Sequence, residues 1–167
     1  FSSIMLSGMG VELPPHALRM MERISVNSKN LIAIINDILD LSRIEAGLLQ
    51  PARLPFKPAH LLIKWQEQIR ILAQQKNITT TFILDPNLAP ILFSDEDAIG
   101  KIAMNLLMNA VKFTPSGGFV TLTLAPSPEP NYFQLIVTDT GIGIPPEAHS
   151  FIFDAFRQVD QSSTREY

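Results

Sequence analysis

Asn105, Asn109 and Lys112 are the residues whose types and spacing could most readily do chemistry together. They lie in DEDAIGKIAMNLLMNAVKFTP, Asp95 to Pro115, and each residue of a helix advances about 100° around its axis. Lys101, Asn105, Asn109 and Lys112 then share an arc of roughly 80°, a polar ridge of carboxamides and ammonium groups with no acid. The opposite side is read as the core face, through Ile99, Ile102, Ala103, Leu106, Ala110 and Phe113, with Met108 at the edge of the ridge. A carboxamide oxygen is a neutral, hard ligand that can join the octahedral shell of Mg2+ without cancelling its charge, and a lysine one turn on can reach phosphate oxygens. A ridge that only faces water has the same spacing, so this helix alone leaves both readings open.

The second stretch is DTGIGIP, Asp139 to Pro145, which follows an alternating apolar segment. An aspartate leaving a buried strand can accept hydrogen bonds from an exocyclic amine, and glycines directly after it let the backbone approach a flat base. Those are the features of an adenine pocket. An Asx-type turn uses the same residues and needs no ligand. A dinucleotide-binding fingerprint is excluded, because the acid precedes the glycines and no second strand-helix-strand unit follows.

Elements must hold these two stretches in register. His16 to Ala46 reads as a long helix ended by Gly47, with Ile24, Leu31, Ile34, Ile38, Leu41 and Glu45 along a seven-residue seam. That seam suits a helical hairpin or a dimeric bundle, and equally a plain core-facing helix. Pro51, Pro55 and Pro58 make a rigid spacer with a short strand at Arg53 to Phe56, and the domain boundary is placed there, between residues 1–50 and 51–167. Pro58 to Lys76 is an amphipathic helix in which Trp65 is a core anchor. Strands are expected at Thr79 to Asp85 and Ile91 to Ser94, around a Pro-Asn turn, and at Phe119 to Leu124 and Tyr132 to Asp139, which pair as a hairpin. Helices covering such strands give an α+β fold, a two-layer α/β sandwich.

Composition narrows the class further. The chain has 167 residues, 46% of them hydrophobic, enough for one domain and a smaller appendage. A net charge of −3 argues against a nucleic-acid partner. No Cys is present, which removes disulfides and thiolate metal sites. No apolar run approaches the roughly 20 residues that a membrane span needs.

The pattern N-x3-N-x2-K, a hairpin, D-x-G-x-G-I-P and then FIFDAFRQVD resembles the catalytic core of the sensor histidine kinases of two-component systems. NDILDLSRIEAG, Asn36 to Gly47, looks like the end of that family's dimerisation and histidine-phosphotransfer hairpin; NLLMNAVKFTP looks like its N box, DTGIGIP its G1 box and FIFDAFRQVD its F box. The resemblance implies an ATP-binding domain preceded by a helical hairpin, half of a dimeric four-helix bundle. It implies ATP and Mg2+ as cofactors, a response-regulator receiver domain as partner, a homodimer formed through the hairpin, and a cytoplasmic location. Residue by residue, Asn109 would ligate Mg2+, Asn105 would support metal and phosphates, and Lys112 would contact phosphates. Asp139 would bind the adenine amino group, Gly141 and Gly143 would shape the pocket, Ile144 would lie against the base, and Phe153 and Phe156 would position a lid beginning near Arg157.

The resemblance also sets limits. The family's H box would lie before Phe1 and its G2 box after Tyr167, so the chain reads as a fragment that lacks the acceptor histidine and cannot phosphorylate itself. His16, His60 and His149 read as surface or cap residues. The expected activity is that of an ATP-dependent protein-histidine kinase when complete. The alternatives are a serine kinase or ATPase of the same superfamily, made less favourable by an amide where a water-activating glutamate would stand, and a non-catalytic dimerisation module.

Overall fold

The structure, a computed structural model, describes residues 14–154. They fall into two compact units that part between Pro51 and Ala52. The first is essentially one helix, α1, Pro15–Glu45. Pro15 occupies its first turn, where a missing N–H costs nothing. Gly47 adopts φ 66°, and the amides of Gly47 and Leu48 donate to the carbonyls of Ile44 and Arg43, closing the helix with a left-handed residue. Along α1, Ile24, Leu31, Ile34 and Ile38 are between 45% and 58% exposed. Phe1 to Val11, whose apolar residues Ile4, Met5, Leu6 and Met9 read as the last turns of a helix, lies outside the described residues.

The second unit runs β1 (Leu54–Phe56), α2 (Pro58–Gln75), β2 (Thr79–Leu84), β3 (Leu92–Ser94), α3 (Glu96–Phe113), β4 (Phe119–Pro126) and β5 (Phe133–Asp139). β4 and β5 form the expected antiparallel hairpin, with Leu122 opposite Val137 and Leu124 opposite Leu135. β2 joins the other edge of β4 in parallel, Thr80 opposite Val120 and Phe82 opposite Leu122. The Asp85-Pro86-Asn87 turn forms as expected, with the Asp85 carboxylate accepting from the Asn87 amide at 2.8 Å. The strands on its two sides nevertheless separate: β2 enters the three-stranded sheet, whereas β3 pairs with β1 in a two-stranded ribbon.

Alternation along β4 puts Val120, Leu122 and Leu124 on one face, and α2 and α3 cover that face. Leu61, Leu62, Trp65, Ile69 and Ala73 of α2 meet Ala103, Leu107, Ala110 and Val111 of α3 above the sheet. This is the two-layer α+β arrangement. Truncating a fully buried member such as Leu107 or Ile69 to Ala would cost about 2–5 kcal/mol. No helix among the described residues is long and apolar enough to cross a membrane.

One sequence expectation is corrected. The core face of α3 is built from Ala103, Leu107, Ala110 and Val111, while Ile102 and Leu106 are 57% and 40% exposed. Apolar residues cover more of this helix than the sheet needs, and packing selected the strip about 180° from Asn105. Ile102 and Leu106 are left as an apolar shoulder beside the asparagine ridge.

Candidate functional site

The site is framed by the two ends of α3. At the start, Asp95 caps the helix: its Oδ1 accepts from the Ala98 amide at 2.9 Å. Its Oδ2 accepts from the Ala52 amide at 3.0 Å, tying the strand-bearing segment before α2 to the helix. The amide of Ala98 first, and that of Ala52 next, hold the Asp95 carboxyl below the usual aspartate range. Glu96 and Asp97 in the first turn add negative charge at the positive end of the helix dipole.

Asn105, Asn109 and Lys112 emerge on the outer side of α3, and all three are exposed. The ridge expected from helical spacing is therefore present, with Leu107 and Val111 buried behind it. Lys112 lays its ammonium over the ring of Phe113, 5.0 Å from the centroid. An exposed lysine on such a soft contact can leave it for a phosphate without breaking an ion pair.

Asp139 is the last residue of β5, opposite Val120. Its Oδ1 accepts from the Gly141 amide at 2.8 Å, which is the Asx-type turn that the sequence allowed. The other carboxylate oxygen takes no part in that turn and the residue is exposed, so the turn orients the carboxylate without consuming it. Thr140 locks the loop to the start of β4: its amide donates to the Phe119 carbonyl at 3.1 Å, and its hydroxyl accepts from the Phe119 amide at 2.9 Å.

The loop then docks on the end of α3. The Ile142 amide donates to the Phe113 carbonyl at 3.3 Å. A Cβ at Gly141 would stand 2.8 Å from that carbonyl oxygen, closer than side chains approach backbone, so the contact requires glycine. Gly143 has φ 71° with open space around it; there the requirement is conformational. Ile144 is 51% exposed, and its carbonyl meets His149 Nε2 at 3.1 Å. His149 thus holds the loop's exit, a contact that no sequence spacing indicated. Phe153 is 91% exposed, while Phe156 and Arg157 lie outside the described residues.

The structure therefore brings the Asp139 loop against the C-terminal turn of the helix that carries Asn105, Asn109 and Lys112. Those residues supply exposed oxygen donors, a cation, a partly uncommitted carboxylate and backbone with no Cβ to block a flat ligand. Such a set can hold a polyphosphate at the ridge and a base at the loop.

Comparisons with known proteins agree with that chemistry. Residues 94–167 match the family described as histidine kinase-, DNA gyrase B- and HSP90-like ATPase. The chain is 39% identical over 155 residues to hybrid signal transduction histidine kinase D of Dictyostelium discoideum, covering 88% of this chain and 10% of the relative. It is 34% identical over 161 residues to the signal transduction histidine-protein kinase BarA of Escherichia coli K12, covering 93% of this chain and 17% of that protein. Among solved structures it is similar to full-length ShkA in complex with AMPPNP, with a TM-score of 0.77 and 28% identity, over 89% of this chain and 31% of ShkA. The chain thus spans 10% and 17% of the two curated relatives. The asparagine helix, the hairpin and the aspartate-glycine loop are accordingly parts of the ATP-binding catalytic domain of a sensor histidine kinase, and residues 94–167 belong to the histidine kinase-, DNA gyrase B- and HSP90-like ATPase family.

Proposed function

We propose that the whole protein is an ATP-dependent protein-histidine kinase, which transfers the γ-phosphoryl group of ATP to a helix-borne histidine and then to an aspartate of a response regulator. The observation that carries this reading is the docking of the Asp139 loop on the Phe113 carbonyl, which fixes the Asp139 carboxylate relative to the ridge of Asn105, Asn109 and Lys112. In this reading the Asp139 oxygen outside the turn accepts from the adenine amino group, Gly141 and Gly143 shape the pocket, and Ile144 packs against the base. Lys112 leaves the Phe113 ring to contact phosphate oxygens. Phe153 and Phe156 position the lid.

The donor set on the ridge fits Mg2+ carried on a nucleotide: neutral, exposed carboxamide oxygens complete a largely hydrated octahedral shell. Asn109 would be the direct ligand and Asn105 its support, and the metal would supply neutralisation of phosphate charge. Asn105 is an amide and cannot serve as a base for water, which favours transfer to a protein side chain over hydrolysis. The remaining work is positioning.

Residues 1–50 would be the dimerisation and phosphotransfer part, and residues 51–167 the ATP-binding part. The exposed apolar side chains along α1 support a homodimer formed through that helix. A cytoplasmic site of action follows from the need for ATP and a regulator.

The test is phosphorylation of the full-length protein with ATP labelled at the γ-phosphoryl. Acid-labile, base-stable label is the expected outcome, and acid-stable label would favour a serine kinase. Asn109→Asp adds a negative charge among phosphates and should weaken Mg-ATP binding by roughly tenfold or more. Unchanged affinity and unchanged label would remove Asn109 from the site.

A further inference from the structure

The last turn of an α-helix has carbonyl oxygens that the helix cannot satisfy for itself. At the end of α3 each has a partner. Ala110 accepts from the Thr114 amide at 3.0 Å, and Phe113 accepts from Ile142 in the nucleotide loop. The others converge on a single side chain: Lys76 Nζ donates to the carbonyls of Lys112 at 2.7 Å, Val111 at 3.0 Å and Thr114 at 3.2 Å. An ammonium has three protons and no acceptor, so a cone of carbonyls matches it better than it would the planar fork of an arginine. A cation at this point also faces the negative end of the helix dipole.

Lys76 is well anchored for that task. It is the C-cap residue of α2 and half-buried. The next residue, Asn77, adopts φ 55° and accepts from the Gly117 amide at 2.9 Å, while the Thr79 amide donates to the Gly118 carbonyl at 3.0 Å. The segment that directly follows the lysine is thereby stitched to the α3–β4 turn. The carbonyls that Lys76 gathers flank Phe113, whose own carbonyl receives the Asp139 loop.

We propose that Lys76 is a positioning residue for nucleotide binding. It fixes the backbone from Val111 to Thr114, and through it both the point at which the Lys112 side chain leaves the helix and the carbonyl on which the Asp139 loop rests. This rests on the reading above, in which Lys112 meets phosphate and Asp139 meets the base.

The experiment measures Mg-ATP affinity by titration calorimetry on the full-length protein carrying Lys76→Met, Lys76→Arg, Lys112→Met, Asp139→Asn, and Lys76→Met with Lys112→Met. Circular dichroism and a melt of each variant set a working temperature at which all are folded. Lys76→Met should raise Kd roughly five- to tenfold, and the double variant should lose clearly less than the product of the single losses, because an unpositioned Lys112 has little left to lose. Lys76→Arg should be intermediate. If Lys76→Met does not fold, Lys76→Arg decides: a raised Kd with native dichroism supports the proposal, and a wild-type Kd overturns it. A lower melting temperature with unchanged Kd would make Lys76 purely structural, and fully multiplicative losses would also overturn the proposal. If Lys112→Met and Asp139→Asn leave binding untouched, the underlying site reading fails; if they weaken it and Lys76→Met does not, only the present inference fails.

Discussion

Gly141 rests directly on the carbonyl of Phe113, so the loop that leaves β5 and the helix that carries the asparagine ridge share one backbone contact. An added Cβ would lie 2.8 Å from the Phe113 oxygen and 2.6 Å from Asp139 Oδ1, and backbone on one side cannot rotate away as a flexible side chain would. Gly141→Ala should therefore lift the loop, cost about 1–3 kcal/mol of stability as overpacking does, and weaken Mg-ATP binding. Gly143→Asn is the comparison: Gly143 has open space and φ 71°, which asparagine tolerates, so its melting temperature should stay near wild type. Equal melting temperatures for the two variants would show that the Phe113 contact is not tight.

The Asp139 carboxylate serves a turn with one oxygen, and in the proposed site the other meets the base, so an asparagine separates those duties. Asp139→Asn keeps an oxygen to accept from the Gly141 amide, so the loop should hold its shape. The other position becomes an NH2 donor, which opposes an adenine amino group. ATP affinity should fall by roughly tenfold while GTP affinity changes little, narrowing the preference for ATP. An equal fall for both nucleotides would mean that Asp139 acts only through the turn.

Asp95 gives the unit a definable acid sensitivity. Hydrogen bonds from Ala98 and Ala52 favour its charged form, so its folded pKa lies below the ordinary aspartate range. A depressed carboxyl contributes stability above its unfolded pKa and loses it as pH falls through the folded pKa. Melting temperature followed downward from pH 6 should therefore drop below about pH 4, with this residue as one contributor. Asp95→Asn keeps the helix cap but offers only one accepting oxygen to two amides. The variant should melt lower at neutral pH and show a shallower acid decline; an acid decline as steep as wild type would assign the sensitivity elsewhere.

Much of this architecture was legible because its signals are local. The alternation of Val120, Leu122 and Leu124 announced a one-sided strand, and Pro58 marked the start of α2. Gly47 likewise marked the end of α1. What stayed hidden depends on residues distant in sequence. The parallel pairing of β2 with β4 leaves no mark in either strand, and the Asp85-Pro86-Asn87 turn suggested neighbours where the strands diverge. Spacing points to Ile102 and Leu106 rather than to Leu107 and Val111, because an apolar arc wider than the core contact does not say which part is covered. In the sequence Lys76 is only the last residue of an amphipathic helix. The available hint was a cation at a helix end, but its partners lie about 35 residues away on another helix.

The apolar seam of α1 leads to the last prediction. Leu31 and Ile38 are seven residues apart, on one side of the helix, and are 58% and 45% exposed. Residues left uncovered in this way lose little stability when changed within one chain, yet each would contribute about 1.5–3 kcal/mol if fully buried against a second copy. Leu31→Glu with Ile38→Glu should therefore leave the circular dichroism and the Mg-ATP affinity of the full-length protein intact while placing carboxylates at the centre of the proposed interface. Sedimentation at micromolar concentration should shift from dimer to monomer. A dimer that persists unchanged would mean that subunits meet elsewhere, and that the seam serves another surface of the protein.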